Sequence, residues 1–194
     1  VDYGVYVITS EATKSRKIVM DAQLRTAHME ATYIETFTVD SRHVSSILTS
    51  GELEVYSKHM EAYSRFLATG SRHALVLEDD AILPESFPTL LSGHMPPKAF
   101  DFYFISDDHF PKPHQIISPY IIKTNASKTA CAYLLGRRAA EVMLAYATSL
   151  DKPIDHKMND VIVAHGLETY WHVGLVRHGS ACGIYSSAIR HTPL

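Results

Sequence analysis

The ten residues "ALVLEDDAIL", positions 74–83, constrain this chain more than any other stretch. An apolar run of Ala74, Leu75, Val76 and Leu77 suits a strand covered on both faces, and such strands belong to sheets with helices on each side. The run ends abruptly in three adjacent carboxylates, Glu78, Asp79 and Asp80, before apolar character returns at Ala81. Neighbouring negative charges repel one another, and a solvated loop would relieve that repulsion more cheaply than the end of a buried strand. A positive partner is therefore expected here.

The rest of the chain repeats the alternation that such a strand implies. "YGVYVIT" (3–9) is rich in β-branched and aromatic residues and predicts an opening strand. A helix should begin in the polar "SEATKSRK", with Ile18, Met20, Leu24 and Ala27 on one face, and "TYIETFTVD" (32–40) predicts a second strand closing on Asp40. From Glu54 to Leu67 the residues Val55, His59, Tyr63, Phe66 and Leu67 recur at helical spacing, and Gly70 is the expected stop. "FDFYFIS" (100–106) reads as a strand running into Asp107 and Asp108. "TACAYLLG" (129–136) reads as a strand before a helix carrying Ala139, Val142, Met143, Tyr146 and Leu150. "DKPIDHKMNDVIVAHG" and "TYWHVGLVRHGS" give a further short helix and a last strand. With no repeat or linker in 194 residues, 46% of them hydrophobic, the expectation is one α/β domain over 1–194 with a mainly parallel central sheet flanked by helices.

The formal charge of −3 leaves no broad basic field, so nucleic acid is not an expected partner. No run approaches the length of a transmembrane segment, and the first residues lack the pattern of a signal peptide. Peripheral membrane association remains compatible with that. Because the chain starts at Val1, removal of a targeting segment is compatible too. Cys131 and Cys182 cannot form a disulfide framework, although one bridge is possible, and neither sits in a C-x-x-C pair. This usage suits a reducing, cytoplasmic setting without excluding a secretory-pathway lumen.

In open α/β sheets, ligands bind beyond the carboxyl ends of the strands, where Glu78, Asp79, Asp80, Asp107 and Asp108 are expected to gather. Carboxylate oxygens are hard ligands, and an all-oxygen set with no thiolate beside it favours Mg²⁺ or Mn²⁺ over zinc. Such an ion would relieve the repulsion and could grip the oxygens of a diphosphate. Blander readings compete: the triplet as a solvated turn with Asp80 capping a helix, Asp107 and Asp108 as part of the loop "SDDHFPKP", and His59 as a core histidine. The twelve histidines show no H-E-x-x-H spacing, and Ser180 in "HGSACG" lacks the first glycine of a nucleophile elbow.

The blocks "VYVITSEATKSRKIVMDAQL", "GELEVYSKHMEAY", "HALVLEDDAIL", "TACAYLLGRRAAEVML" and "PIDHKMNDVI" resemble, in order and spacing, those of glycosyltransferase family 25 over roughly residues 3–190. That family includes bacterial lipooligosaccharide galactosyltransferases and collagen hydroxylysine galactosyltransferases. The resemblance implies a GT-A-like nucleotide-sugar-binding domain and an inverting transfer from a UDP-sugar, with galactose the sugar that those relatives imply. It implies a metal held by the acidic triplet, with Glu78 and Asp80 as the outer acids and Asp79 as the middle one. Arg16 matches an arginine expected near the nucleotide, and Asp155 matches the acid of the P-[IV]-D block. GT-A enzymes commonly take a third metal ligand from near the C-terminus, which points to His178, with His191 behind it. One block departs from the family. Where relatives read G-E-[IV]-G-C-x-x-S-H, this chain has Glu54, Val55 and Lys58 in place of glycine, cysteine and serine, so a different acceptor side is expected.

Glycosyl transfer builds negative charge on the leaving phosphate, and a cation there stabilises the transition state most. Inversion also needs a base within reach of the acceptor hydroxyl of a glycan, glycolipid or glycoprotein. Asp155 is the first candidate, followed by Asp107, Asp108 and Asp160. A helix N-cap after Pro153 is an equally open reading of Asp155. A metal-dependent phosphoesterase, or a catalytically silent carbohydrate-binding module, would also account for acids at a strand end.

Overall fold

The computed structural model describes residues 2–36, 48–107, 115–147 and 149–186. In chain order the elements are β1 (Tyr3–Ile8), α1 (Lys14–Thr26), β2 (Thr32–Ile34), α2 (Ser50–Leu67), β3 (His73–Glu78), β4 (Ala81–Ile82) and α3 (Phe87–Gly93). There follow β5 (Phe102–Ser106), β6 (Gln115–Ile116), β7 (Ile121–Lys123), β8 (Ala132–Gly136), α4 (Arg137–Tyr146), α5 (Ile154–His165) and β9 (Thr169–His178). Asp40, Asp108 and His191 lie outside the described residues.

The strands form a sheet in the order β2-β1-β3-β8-β5-β9-β7-β6, with β4 paired to β9 off this path. Pairs β1–β2, β1–β3 and β5–β9 are parallel, while β8 runs antiparallel to both β3 and β5. Strands β1, β3, β5 and β9 therefore point the same way around one reversed strand. Their carboxyl ends share a rim with the amino end of β8.

Period-two alternation sorts the strand side chains between two apolar layers. Tyr6, Ile8, Val76, Phe104, Tyr133 and Trp171 pack with Tyr63, Phe66, Met143 and Met158 of α2, α4 and α5. Val5, Val7, Leu75, Leu77, Ile105 and Leu134 pack with Met20, Leu24, Phe87 and Leu91 of α1 and α3. Residues 74–77 are fully buried, as a strand covered on both faces requires.

The start of α2, and the means by which it stops, differ from the sequence expectation. Helix α2 starts at Ser50 because Thr49 and Glu52 form a capping box, in which the Thr49 hydroxyl accepts from Glu52 N at 3.2 Å and Glu52 Oε2 accepts from Thr49 N at 2.8 Å. At the other end Gly70 is not left-handed. Instead Arg137 donates to the Leu67 and Thr69 carbonyls at 2.8 and 2.9 Å, satisfying groups that the last turn leaves open. Helix α5 does end on a left-handed glycine, Gly166.

Candidate active site

The acidic triplet ends β3 with Glu78 and turns into β4 through Asp79 and Asp80, and it caps no helix. Its three carboxylates point to three different sets of partners. Asp79 faces β1 and α1, where it accepts from Thr9 Oγ1 at 2.9 Å, from the Thr13 hydroxyl, and from Arg16 Nη1 at 3.2 Å. Arg16 is itself buried, donates to the Ser186 carbonyl, and lies 5.3 Å from the centre of the Tyr185 ring. Asp79 thus positions the guanidinium.

Asp80 faces the end of β9 and shares Arg16 with Asp79. Its Oδ2 is 3.2 Å from His178 Nε2 and 3.7 Å from Arg16 Nη1, and it accepts from the Ser180 hydroxyl. Burial alone would raise the Asp80 carboxyl. His178, Ser180 and Arg16 together overcome that and hold it below the usual carboxylate range. The approach of His178 to Asp80 has a backbone cause. Strand β9 slips relative to β5 between Phe104 and Ser106, and its last residues then pair with β4, placing Ala81 opposite His178.

Gly179 makes the next step possible. A Cβ there would stand 2.7 Å from the Asp80 carbonyl and 2.5 Å from the Tyr185 ring, so only glycine lets the turn after β9 pack against the triplet. Asp107 supports the same strand, accepting from His178 N at 3.0 Å.

Glu78 turns to α2, where its Oε1 is 3.2 Å from His59 Nε2. His59 is fully buried, with Nδ1 2.7 Å from the Tyr133 hydroxyl, which in turn meets Tyr63 OH at 2.6 Å. His59 is a core histidine, as expected, and its second nitrogen reaches the rim.

Of the three residues expected to hold a metal, Asp80 and His178 come together. The third member of their cluster is Cys131: ligand atoms of Asp80, Cys131 and His178 all lie within 4.8 Å of one another, and Cys131 Sγ is 3.8 Å from Asp80 Oδ1. The expectation of acids with no thiol beside them is therefore corrected. Because β8 is reversed, its amino end enters the rim, and no local pattern announces that. The donor set of carboxylate, imidazole and thiol suits a divalent cation.

Two cavities open on this rim. The larger, about 330 Å³, is bounded by Thr9, Arg16, Lys58, Glu78, Asp80 and His178 among others. The smaller, about 140 Å³, lies between α2 and α5 and includes Glu52, Lys128, Thr129 and Asp155. Val55, Glu78 and His178 line both. Lys58, which sequence reasoning noted only as a departure, is buried with its Nζ 2.5 Å from the Thr9 carbonyl and 2.5 Å from Glu54 Oε1.

Asp155 is the second residue of α5, one past the first helical position, and Pro153 occupies the N-cap. The N-cap reading is thereby corrected. Its carboxylate accepts from His156 N at 2.9 Å, and burial raises its pKa, with His156 and His59 offsetting part of the effect. Asp160, ion-paired with Lys152 at 2.6 Å, and Asp107 line neither cavity. Cys131 is buried and Cys182 exposed. Among the described residues, no helix is long and apolar enough to cross a membrane.

The family model for glycosyltransferase family 25, described as an LPS biosynthesis protein, matches residues 20–158. Among solved structures, a glycosyltransferase involved in the glycosylation of the major capsid of PBCV-1 has a similar fold: TM-score 0.52 at 10% identity, covering 90% of this chain and 92% of that one. The galactosyltransferase LgtC in complex with donor and acceptor sugar analogs aligns with TM-score 0.46 at 10% identity, over 87% of this chain and 72% of that one. A comparison with curated proteins finds no match.

Proposed function

The chain belongs to glycosyltransferase family 25, and from that premise we propose that it transfers a sugar, galactose by the family's example, from a UDP-sugar to a hydroxyl of a glycan or glycoconjugate with inversion. The observation that carries this reading is the pair of cavities meeting at Glu78, Val55 and His178. A donor in the larger and an acceptor in the smaller would bring their reacting ends together at that wall.

In this assignment Asp80 and His178 hold a divalent cation, Mn²⁺ on the family's example, while Glu78, turned to His59, lines both cavities. When bound, that cation neutralises charge growing on the leaving diphosphate. Arg16, fixed by Asp79, presents positive charge to the same phosphates, and its preset geometry requires no reorganisation during the reaction. Asp155, in the smaller cavity, accepts the proton of the acceptor hydroxyl as the new bond forms. Burial raises its pKa, which makes it a stronger base than an exposed aspartate. Glu54 and Lys58 fall on the donor side of this arrangement, so the departures at these positions bear on donor binding more than on the acceptor.

The test is a screen of UDP-sugars against candidate acceptors, with Mn²⁺ and with a chelator. The reading expects cation-dependent consumption of one donor, strongest for UDP-galactose, and a product anomer opposite to that of the donor. Turnover unaffected by the chelator, or retained configuration, would remove the cation or the inverting step respectively.

A further inference from the structure

We infer that Cys131 is the third protein ligand of the Asp80–His178 site, and that the site therefore selects a thiophilic divalent cation, of the Zn²⁺ or Co²⁺ class, over Mg²⁺. This rests on the metal role proposed for Asp80 and His178.

Two of the separations approach those such an ion requires, and the whole set of ligand atoms lies within 4.8 Å. Zinc binds sulfur at about 2.3 Å and nitrogen or oxygen at about 2.0–2.2 Å in a tetrahedral arrangement, so its ligand atoms stand roughly 3.3–3.8 Å apart. Here Asp80 Oδ2 lies 3.2 Å from His178 Nε2 and Cys131 Sγ lies 3.8 Å from Asp80 Oδ1. All three residues are delivered by backbone that is pinned locally. Glu78 N donates to the Cys131 carbonyl at 2.8 Å, Gly179 N donates to the Asp80 carbonyl at 2.9 Å, and His178 N is held by Asp107. Small shifts of side chains alone would close the set around one ion.

The chemistry differs from that of a carboxylate-only site. Binding displaces the Cys131 thiol proton to solvent and leaves a thiolate on the metal, so affinity should rise with pH. Thiolate is a poor ligand for Mg²⁺ and a good one for zinc and cobalt. Asp80 and His178 both line the larger cavity, so a cation held by them would be within reach of a phosphate oxygen bound there.

The experiment is a Co²⁺ titration of the reduced protein, followed by absorption spectroscopy, for wild type, Cys131→Ser and Cys182→Ser. The inference expects tetrahedral ligand-field bands and a near-ultraviolet thiolate-to-cobalt band in wild type and Cys182→Ser. It expects that band to vanish in Cys131→Ser, with cobalt affinity falling by at least the 10- to 100-fold that loss of an outer-shell partner costs. Zn²⁺ should displace the cobalt at stoichiometric concentration, and a large excess of Mg²⁺ should not. A cobalt spectrum lacking the thiolate band, or a band lost in Cys182→Ser, overturns the inference while the Asp80–His178 metal role stands. Absence of any cobalt binding, with or without UDP, overturns both. The wild-type and Cys182→Ser spectra decide the matter even if Cys131→Ser does not fold.

Discussion

Asp155 and Arg16 make the sharpest claims at the scale of the residue. Asp155→Asn keeps size and the bond from His156 N but removes the proton acceptor, so turnover should fall about 10²- to 10⁴-fold with donor binding retained. Steady-state kinetics beside a UDP-binding assay would check it; near-normal turnover would take the base role away from Asp155. The same substitution has a stability signature. Burial holds the folded carboxyl above its ordinary 3.8, so the unfolded chain ionises first as pH rises. Wild type should lose stability relative to Asp155→Asn across that interval and hold a constant gap above it. Paired thermal unfolding from about pH 3.5 to 8 would show a pH-independent difference between the two proteins if the carboxyl were not desolvated. Arg16→Ala should raise donor KM more than it lowers kcat. It should also cost about 3–5 kcal/mol in urea unfolding, because it strands the buried Asp79 carboxylate. Unchanged stability would contradict the ion pair. Asp80 and His178 could be singled out in the sequence because acids end an apolar run and a histidine ends the last strand. Cys131, and the hydroxyls of Thr9 and Thr13 that hold Asp79, could not, since nothing local marks contacts made across the sheet.

At the scale of the element, the turn from β9 to Ser180 organises the site. Gly179→Ala must move either the Tyr185 ring or the Asp80 backbone, and overpacking of this kind typically costs about 1–3 kcal/mol. Because the Asp80 carbonyl is bonded to Gly179 N, the substitution should also part His178 from Asp80 and weaken metal-dependent UDP binding. A variant with normal binding would show that the close approach is incidental. Most element types were legible: periodicity located α4 and the buried strands, and polar stretches marked α1 and α5, although Ile18 and Tyr146, expected on apolar faces, are exposed. What it could not supply is direction. The reversal of β8 and the register slip of β9 depend on pairing partners far along the chain, and both are needed to bring Cys131 and His178 to the triplet. The start of α2 was legible in principle, since T-x-x-E is a capping-box signature, and apolar spacing alone placed it four residues late.

For the molecule as a whole, the sheet does two jobs: it separates two apolar layers, and it gathers the carboxyl ends of β1, β3, β5 and β9 on one rim. Every group assigned a chemical role stands at that rim or on the helix beside it. The carboxylates there remain tolerable because each has a partner: Arg16 for Asp79, His178 for Asp80, His59 for Glu78. A cation and a diphosphate carry opposite charges, so donor and metal should bind with positive coupling. Calorimetry of UDP with and without Mn²⁺, on wild type and on Asp80→Asn, measures that coupling directly. The account predicts that Mn²⁺ tightens UDP binding severalfold or more in wild type and has little effect in folded Asp80→Asn. Equal UDP affinity under all four conditions would contradict it.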